Sequence, residues 1–485
     1  MSLLMNYLLS LPHLHSKANA LCDEHEKISF RTLFQQTQRL VNGLAKLPLQ
    51  PGDRVLVAPL PMRWALVVTY ACWWLGLVVV PVTPRYLREE NLALLNELEA
   101  SAVVADTNTL LRLLGNESFE CPDILLRPPK NKLTGWWNGH DQVRSLARLS
   151  CKGETPLRDS DDALVYMPMN VGKPFVLYSQ SALLQQIKQL QQALHPVLQA
   201  LDTPVLAGVP LWHSFGFAAH VLLLPSAGIA SFLPQKFNRQ TLQTTCLKHK
   251  LSAATGVVEQ HTLPIKHLFL SGSYLSKDER QQLPESSQVH LAYGCRESGP
   301  AFATGLNNQH HLQALSGSEF SIRNNAGDKV DIGEVGDLYI RGPQLFSGYW
   351  RRPNATRKVM QDGWLATGDL ARRSEGNTFS VLGRRSQCFQ VAGDWVIAPV
   401  MERQLKQALA IEQARVEPIK INEITVVKLT VSGEAVNITE IETYCRLHFA
   451  GHLVPKVIDV VTSIEADPLG NVIRQDNQII NKEVV

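Results

Sequence analysis

The sequence predicts an α/β protein: a large N-terminal domain of layered sheets and helices, residues 1 to 384, followed by a small α+β C-terminal domain, residues 385 to 485. Three observations lead there. Short β-branched, apolar runs alternate with helix-length amphipathic stretches through the first half, as at Gly52 to Leu60, Ala102 to Ala105 and Pro204 to Ala207. Such unbroken apolarity suits parallel strands covered on both faces. At 485 residues, 45% hydrophobic and 19% charged, the chain is long enough for more than one core. Beyond Gly383-Arg384 the composition shifts to a shorter α+β module.

Taken in order, residues 18 to 60 open with two short strands about a charged turn, then an amphipathic helix, then the strand GDRVLVAPL entered from a glycine turn. Trp64 to Pro84 carries no charge over a length able to span a bilayer. Gly76 divides it into WALVVTYACWW, which reads as a buried helix, and the β-branched strand LVVVPV, so a soluble core and no membrane span are expected. From about Cys121 to Ser160 the composition is mixed, Pro-rich and Trp-containing, as in a surface connection. Ala163-Leu164-Val165 is again strand-like, and no repeat or low-complexity segment is present.

Bulk properties exclude several partners. A net charge of +3 and a pI near 8.3 show no bias toward nucleic acid or an anionic membrane. The eight cysteines lack C-x-x-C spacing, which argues against zinc and against a secreted disulfide framework and fits a reducing cytoplasm. Met1 to Leu14 is apolar enough to suggest a signal peptide, and Ala18-Asn19-Ala20 mimics a cleavage site. No Lys or Arg precedes the apolar part, however, and Pro12 and His13 interrupt it, so secretion is not expected. His310-His311 would point to opposite faces of a strand and has no evident third ligand, so it is not read as a metal site.

The chemistry concentrates in Asp362 to Gly393, DGWLATGDLARRSEGNTFSVLGRRSQCFQVAG. Thr367-Gly368-Asp369 follows a short apolar run, Glu375-Gly376-Asn377 reads as a hairpin turn, and Gly383-Arg384 ends the second strand-like run. A carboxylate at a strand end suits a sugar diol, since one Asp accepts two hydroxyl hydrogens. An Arg two strands later can meet a ribose or a phosphate. The plainer alternative is a β-meander with solvated charges.

With its flanks, this stretch becomes specific. Gly333 to Trp350 (GEVGDLYIRGPQLFSGYW), Asp362 to Asp369 (DGWLATGD) and Gly383 to Gly393 (GRRSQCFQVAG) resemble the successive motifs of the ANL superfamily. These are the adenylate-forming enzymes: acyl- and aryl-CoA synthetases, adenylation domains and luciferases. The likeness extends from the first strands to DPLGNVIR near the C-terminus. It implies an AMP-binding N-terminal domain, a mobile C-terminal lid, a small carboxylic acid substrate, ATP or AMP, magnesium, and CoA or phosphopantetheine. An acyl carrier protein or a partner enzyme enters as a further partner.

The resemblance also assigns residues. The phosphate loop falls at Tyr166 to Ser179, YMPMNVGKPFVLYS, where relatives carry Ser, Thr and Gly closed by Gly-x-Pro-Lys-Gly. Only Gly172, Lys173 and Pro174 keep that design. Met167, Pro168, Met169, Asn170 and Val171 replace the small residues, and Phe175 stands where the Lys belongs. Proline removes a donor and the methionines are expected to crowd the approach, leaving Asn170 and Lys173 to make partial phosphate contacts. His213, in Pro210-Leu211-Trp212-His213, takes the place of the gate histidine of acyl- and aryl-CoA ligases; the alternative is a core histidine bonded to backbone. No Asp is present there to hold an α-ammonium, which leans away from an amino acid and toward an aliphatic or aromatic acid.

Ser271-Gly272-Ser273 corresponds to the segment approaching adenine, and Tyr293-Gly294-Cys295-Arg296-Glu297 to the Tyr-Gly-x-Thr-Glu motif. Tyr293 would stack on the base, Gly294 would lie beside the base and the acid with His213, and Glu297 would take magnesium. Arg296 replaces Thr: it either adds a cation beside the α-phosphate or simply pairs with Glu297 or another carboxylate. Asp369 and Arg384 hold the ribose side. Ser386 marks the hinge, and Val391-Ala392-Gly393 lies along the pantetheine path. The closing Gly-Lys-x-x-Arg motif has Asn471 at its lysine. Losing such a preorganised charged donor costs on the order of 10²- to 10³-fold in rate.

Three readings stay open: an acid–thiol ligase with reduced charge stabilisation from Arg296, Lys173 and Asn471; a catalytically lapsed homologue that binds nucleotide, acyl group or pantetheine or supports a partner enzyme; and, least supported, thioester chemistry without ATP.

Overall fold

The computed structural model describes residues 3–128, 143–146, 160–168, 172–234, 236–257, 263, 265–271, 287–299, 301–306, 311–465 and 472. The chain divides into two compact units. The first comprises Met1–Gly272, Glu279–Phe320 and Ile340–Leu365; the second comprises Ser273–Asp278, Ser321–Tyr339 and Ala366–Val485.

The first unit is built on two sheets with parallel centres, as the alternation of apolar runs predicts. In one, Gln288–Tyr293, His267–Ser271, Ala253–Val257, Val205–Ala207, Ser231–Phe232 and Asn19–Cys22 lie side by side in parallel. Antiparallel Lys27–Ser29 flanks one end, and Ala303–Gly305 followed by Leu312–Ala314 flanks the other. In the second, Asp162–Tyr166, Val78–Pro81, Arg54–Val57, Ala102–Val104, Ile124–Arg127 and Val143–Ser145 are parallel neighbours. Val176–Ser179 and then Gly348–Tyr349 add antiparallel strands at one edge. Every residue of Val78–Pro81 and Ala102–Val104 is buried, which is why those runs carry no alternation.

The uncharged stretch resolves as expected. Met62–Trp74 is a helix buried on nearly all sides, followed by the buried strand Val78–Pro81. Two of its polar atoms find internal partners: Trp73 Nε1 donates to Ala163 O at 2.8 Å and Tyr70 Oη to Val221 O at 2.7 Å, while Trp74 Nε1 is buried without one. Among the described residues no helix is long and apolar enough to cross a membrane. The amphipathic helix Phe30–Leu44 starts where Ser29 Oγ accepts from Thr32 N, an N-cap that satisfies an otherwise orphaned donor. The apolar N-terminal run forms the helix Leu3–Leu9, with Leu4, Met5 and Leu8 buried. Tyr7 Oη in that helix donates to Gln191 Oε1 at 2.7 Å.

In the second unit, residues 369–374 pair antiparallel with Thr378–Arg384 in the hairpin read from the sequence. Gly376 and Asn377 both sit at positive φ, 64° and 57°, matching the right-handed twist of the flanking strands. The hairpin Cys388–Val391 with Asp394–Ile397 follows, then helix Ala398–Ala408. The antiparallel pair Gln413–Ile421 and Ile424–Ser432 is extended in parallel by Val457–Val461, with helix Ile438–His448 inserted in sequence before the last strand. Met401, Leu405, Val416, Leu429 and Cys445 belong to one apolar core there.

Candidate nucleotide and acid site

Parallel strands deliver side chains and turns at their C-terminal ends, and the first unit uses this at Tyr293. The strand Gln288–Tyr293 ends in a turn through Gly299. Ser298 Oγ accepts from Cys295 N at 2.9 Å, and Ser298 N donates to Cys295 O at 3.2 Å. Gly299 has φ +75°, a conformation that favours glycine, and a Cβ there would fall 1.5 Å from Gln186 Nε2 and force that amide to move. The fully buried Tyr178 fastens the turn from beneath: its hydroxyl donates to Arg296 O at 2.6 Å and accepts from Gly299 N at 2.5 Å.

The side chains of the turn are largely enclosed. Glu297 Oε1 accepts from Tyr349 Oη at 3.0 Å, and Arg296 Nη2 stands 3.9 Å from the same oxygen. Burial and the adjacent Glu297 carboxylate push the Tyr349 phenol well above its ordinary range, which keeps it a donor. Arg296 therefore does pair with Glu297, yet its Nη1 is buried with no hydrogen-bond partner. Tyr86 Oη is likewise buried and unpartnered. Burial pushes that phenol up to about 12, against the opposing pull of the nearby Arg296 charge.

The loop root differs from the sequence expectation in one respect. Met167 does not crowd the approach: it is packed away in the same apolar cluster as Val165, Tyr86, Leu92 and Phe175. Phe175 is 4% exposed, with its ring 5.9 Å from that of Tyr86. Position 175, where the motif resemblance leads one to expect a lysine, is thus a core position in this chain. Gly172 takes φ +88°, and Lys173 beyond it is exposed. Asn170, Gly272 and Asn471 lie outside the described residues, as do Met169, Val171, Ser273 and His310. Ser271 is buried at the end of its strand.

His213 caps the short helix Ser214–Phe217, its Nδ1 accepting from Phe215 N at 3.3 Å. Burial lowers its pKa to about 4, so the ring is neutral near pH 7. The Val209–Trp212 segment just before it lines a cavity of about 340 Å³, with Val57, Pro81 and Phe217 among the other apolar walls. The Phe217 ring lies 5.7 Å from Tyr166, which lies 5.6 Å from Tyr178.

In the second unit, Asp369 and Arg384 are register partners across one hairpin rather than two strands apart. Asp369 Oδ1 lies 3.2 Å from Arg384 Nη1, and that nitrogen also donates to Thr367 O at 2.9 Å. Asp369 is 5% exposed, whereas half of the arginine side chain faces solvent. Thr367 Oγ1 donates to Leu338 O and accepts from Asp369 N, so Thr367-Gly368-Asp369 is a fixed bend. Ser386 sits within the single turn Arg385–Gln387. Ala392 and Gly393, at φ +50° and +92°, are exposed at the tip of the next hairpin. Among the described residues no group of three His, Cys, Asp or Glu is arranged to hold a metal.

The family model of the AMP-binding enzymes matches residues 12–350. The chain belongs to that family. Within it, this AMP-binding enzyme is 26% identical to the long-chain-fatty-acid–CoA ligase of Yersinia pestis, over 93% of this chain and 89% of that one. It is 24% identical to the 4-coumarate–CoA ligase of Pinus taeda, over 91% and 87%. Its fold matches that of the O-succinylbenzoate coenzyme A synthetase of Bacillus subtilis in complex with AMP, with a TM-score of 0.78, 18% identity and 99% of each chain covered. The Bacillus protein has also been solved with ATP and magnesium ion. The ANL resemblance read from the motifs is thereby established, and the chain is an acyl- or aryl-CoA ligase-like member of the adenylate-forming enzymes.

Sequence reasoning named Arg296 and Glu297, and Asp369 and Arg384; the AMP-binding enzyme joins each pair directly. It missed Tyr178, Tyr349 and Tyr86. The first two lie inside quoted motifs, but an aromatic residue in a strand carries no mark of where its hydroxyl ends. Tyr178 bonds a carbonyl 118 residues away and Tyr349 a carboxylate 52 residues away.

Proposed function

We propose that this AMP-binding enzyme is an acid–thiol ligase of the acyl- or aryl-CoA type, serving a biosynthetic route in the cytoplasm, whose grip on the ATP phosphates is weakened. The observation that carries it is the contrast within the first unit. The Tyr293–Glu297 turn is fully built and braced, while the root of the phosphate loop is filled by Met167 and Phe175. In the reaction, a carboxylate oxygen attacks the α-phosphorus of ATP and pyrophosphate leaves. A thiol sulfur then attacks the acyl carbonyl and AMP leaves. The neutral His213 and the apolar walls from Val209 to Trp212 favour an aliphatic or aromatic acid.

On this reading Tyr293 and Gly294, with Ser271 and Gly272, hold the adenine. Asp369 and Arg384 hold the ribose, and Arg296, Lys173 and Asn170 attend the phosphates. Residues 385–485 act as the lid that brings Asn471 and the Ala392-Gly393 path to the acid and the CoA or carrier-protein thiol. The seven described cysteines are free, as suits a reducing compartment. ATP–pyrophosphate exchange over a panel of aliphatic and aromatic acids, paired with calorimetry for ATP, AMP and CoA, tests the proposal. Slow, acid-dependent exchange that falls with Asp369→Ala supports it. AMP or CoA binding without exchange favours the lapsed homologue, which the apolar loop root also supports. Rapid exchange refutes the weakened grip.

A further inference from the structure

We infer that Arg296 occupies the electrostatic place of the metal ion at this site, so that the nucleotide is bound without a divalent cation. The inference rests on the nucleotide reading of the Tyr293–Glu297 turn. Magnesium demands hard anionic oxygens in near-octahedral order and is usually held by one or two carboxylates together with substrate phosphates. Glu297 is the one carboxylate of the turn; its Oε1 accepts from Tyr349 Oη at 3.0 Å and faces Arg296 Nη2 at 3.9 Å, so a dication would have to share this carboxylate with the guanidinium. The guanidinium cannot be deprotonated, so a dication on Glu297 would stand against a fixed positive charge in a largely enclosed space. With that fixed charge beside their one carboxylate, the residues of the turn do not fit magnesium.

They do fit an oxyanion. Arg296 Nη1 is buried without an acceptor, and a buried orphan donor is costly unless a ligand supplies one. Tyr86 Oη is a second buried hydroxyl without a partner, on a ring that packs against Phe175 and feels the Arg296 charge. Neighbouring residues support both: Phe175 packs against the Tyr86 ring, and Tyr178, three residues on, holds the Arg296 backbone carbonyl. Phosphate oxygens suit a guanidinium fork better than they suit a point charge. Glu297 then acts as the counter-ion that orients Arg296, and Tyr349 positions Glu297. Both are positioning residues, and Arg296 and Tyr86 are the groups that meet phosphate.

Calorimetric titration of AMP and of ATP into the full chain, in excess magnesium and in EDTA, tests this. The expected ATP affinity differs by less than about threefold between the two buffers. Arg296→Thr, checked for an unchanged melting temperature, should lose about tenfold or more in EDTA and become magnesium-dependent, as removal of a charged hydrogen bond implies. Tyr86→Phe should weaken AMP several-fold in both buffers alike. A wild-type ATP affinity that falls tenfold or more in EDTA overturns the inference and leaves the nucleotide reading standing. An Arg296→Thr variant that binds as well as the wild type in EDTA overturns it too. Absence of binding for both nucleotides in both buffers overturns the nucleotide reading and the inference together.

Discussion

His220 gives the sharpest test of the packing in the first unit. Its ring is completely buried, with Nδ1 2.9 Å from Ser231 Oγ and Nε2 2.8 Å from Thr255 Oγ1. Two hydroxyls satisfy a neutral imidazole, and burial alone drives the pKa from 6.5 down to about 3. A depressed histidine pKa means that the unfolded chain binds the proton and the folded chain does not. Stability is therefore complete above pH 6.5 and declines as pH falls toward the folded value. At pH 5 the loss spans 1.5 units, which at about 1.36 kcal/mol per unit is about 2 kcal/mol from this one residue. His213 and His290, both lowered to about 4 by burial, act in the same direction. Urea unfolding at pH 8 and pH 5, followed by tryptophan fluorescence, measures it; Trp395 is the one tryptophan outside the first unit. His220→Gln cannot titrate and should show a pH 8 to pH 5 loss smaller than the wild type by about 2 kcal/mol, whatever its stability at pH 8. Equal losses in the two proteins would refute the reasoning.

Three further outcomes are expected. Phe175→Lys, the residue that the motif resemblance leads one to expect, places an ammonium in a core position and should lower stability by at least about 3 kcal/mol without raising exchange; melting close to wild type would contradict this. Gly299→Ala should cost about 1–3 kcal/mol in chemical unfolding, since the added methyl meets the Gln186 amide and φ is +75°; an unaffected midpoint would show that the turn relaxes freely. Asn471→Lys should raise trace pyrophosphate exchange if the loop still holds the triphosphate, and no gain would locate the main defect between Tyr166 and Ser179.

Fold class was legible because buried parallel strands leave unbroken runs such as Val78–Pro81, and because a turn needing two positive φ angles shows itself as Gly376-Asn377. Asp369 and Arg384 were legible as residues but not as partners: the sequence put the arginine two strands on, whereas the two are register partners in one hairpin. What escaped was long-range. The direction in which Met167 packs depends on Leu92, which lies far back in the chain. Whether Gln186 backs Gly299, or Tyr349 reaches Glu297, is likewise set by how distant strands align. Polarity also misled at Met167, since a methionine in a loop reads as an obstacle until its neighbours are known.

The anchoring of Met167 and Phe175 bears on which replacements the chain can accept. A small residue at 167 would leave a void in the cluster that also holds Tyr86, and a long cation at 175 would have to be expelled from the interior, so each such replacement is harmful by itself. A polar loop root would need several coordinated replacements across separate segments. The segment is thus locked in by the very side chains that fill it.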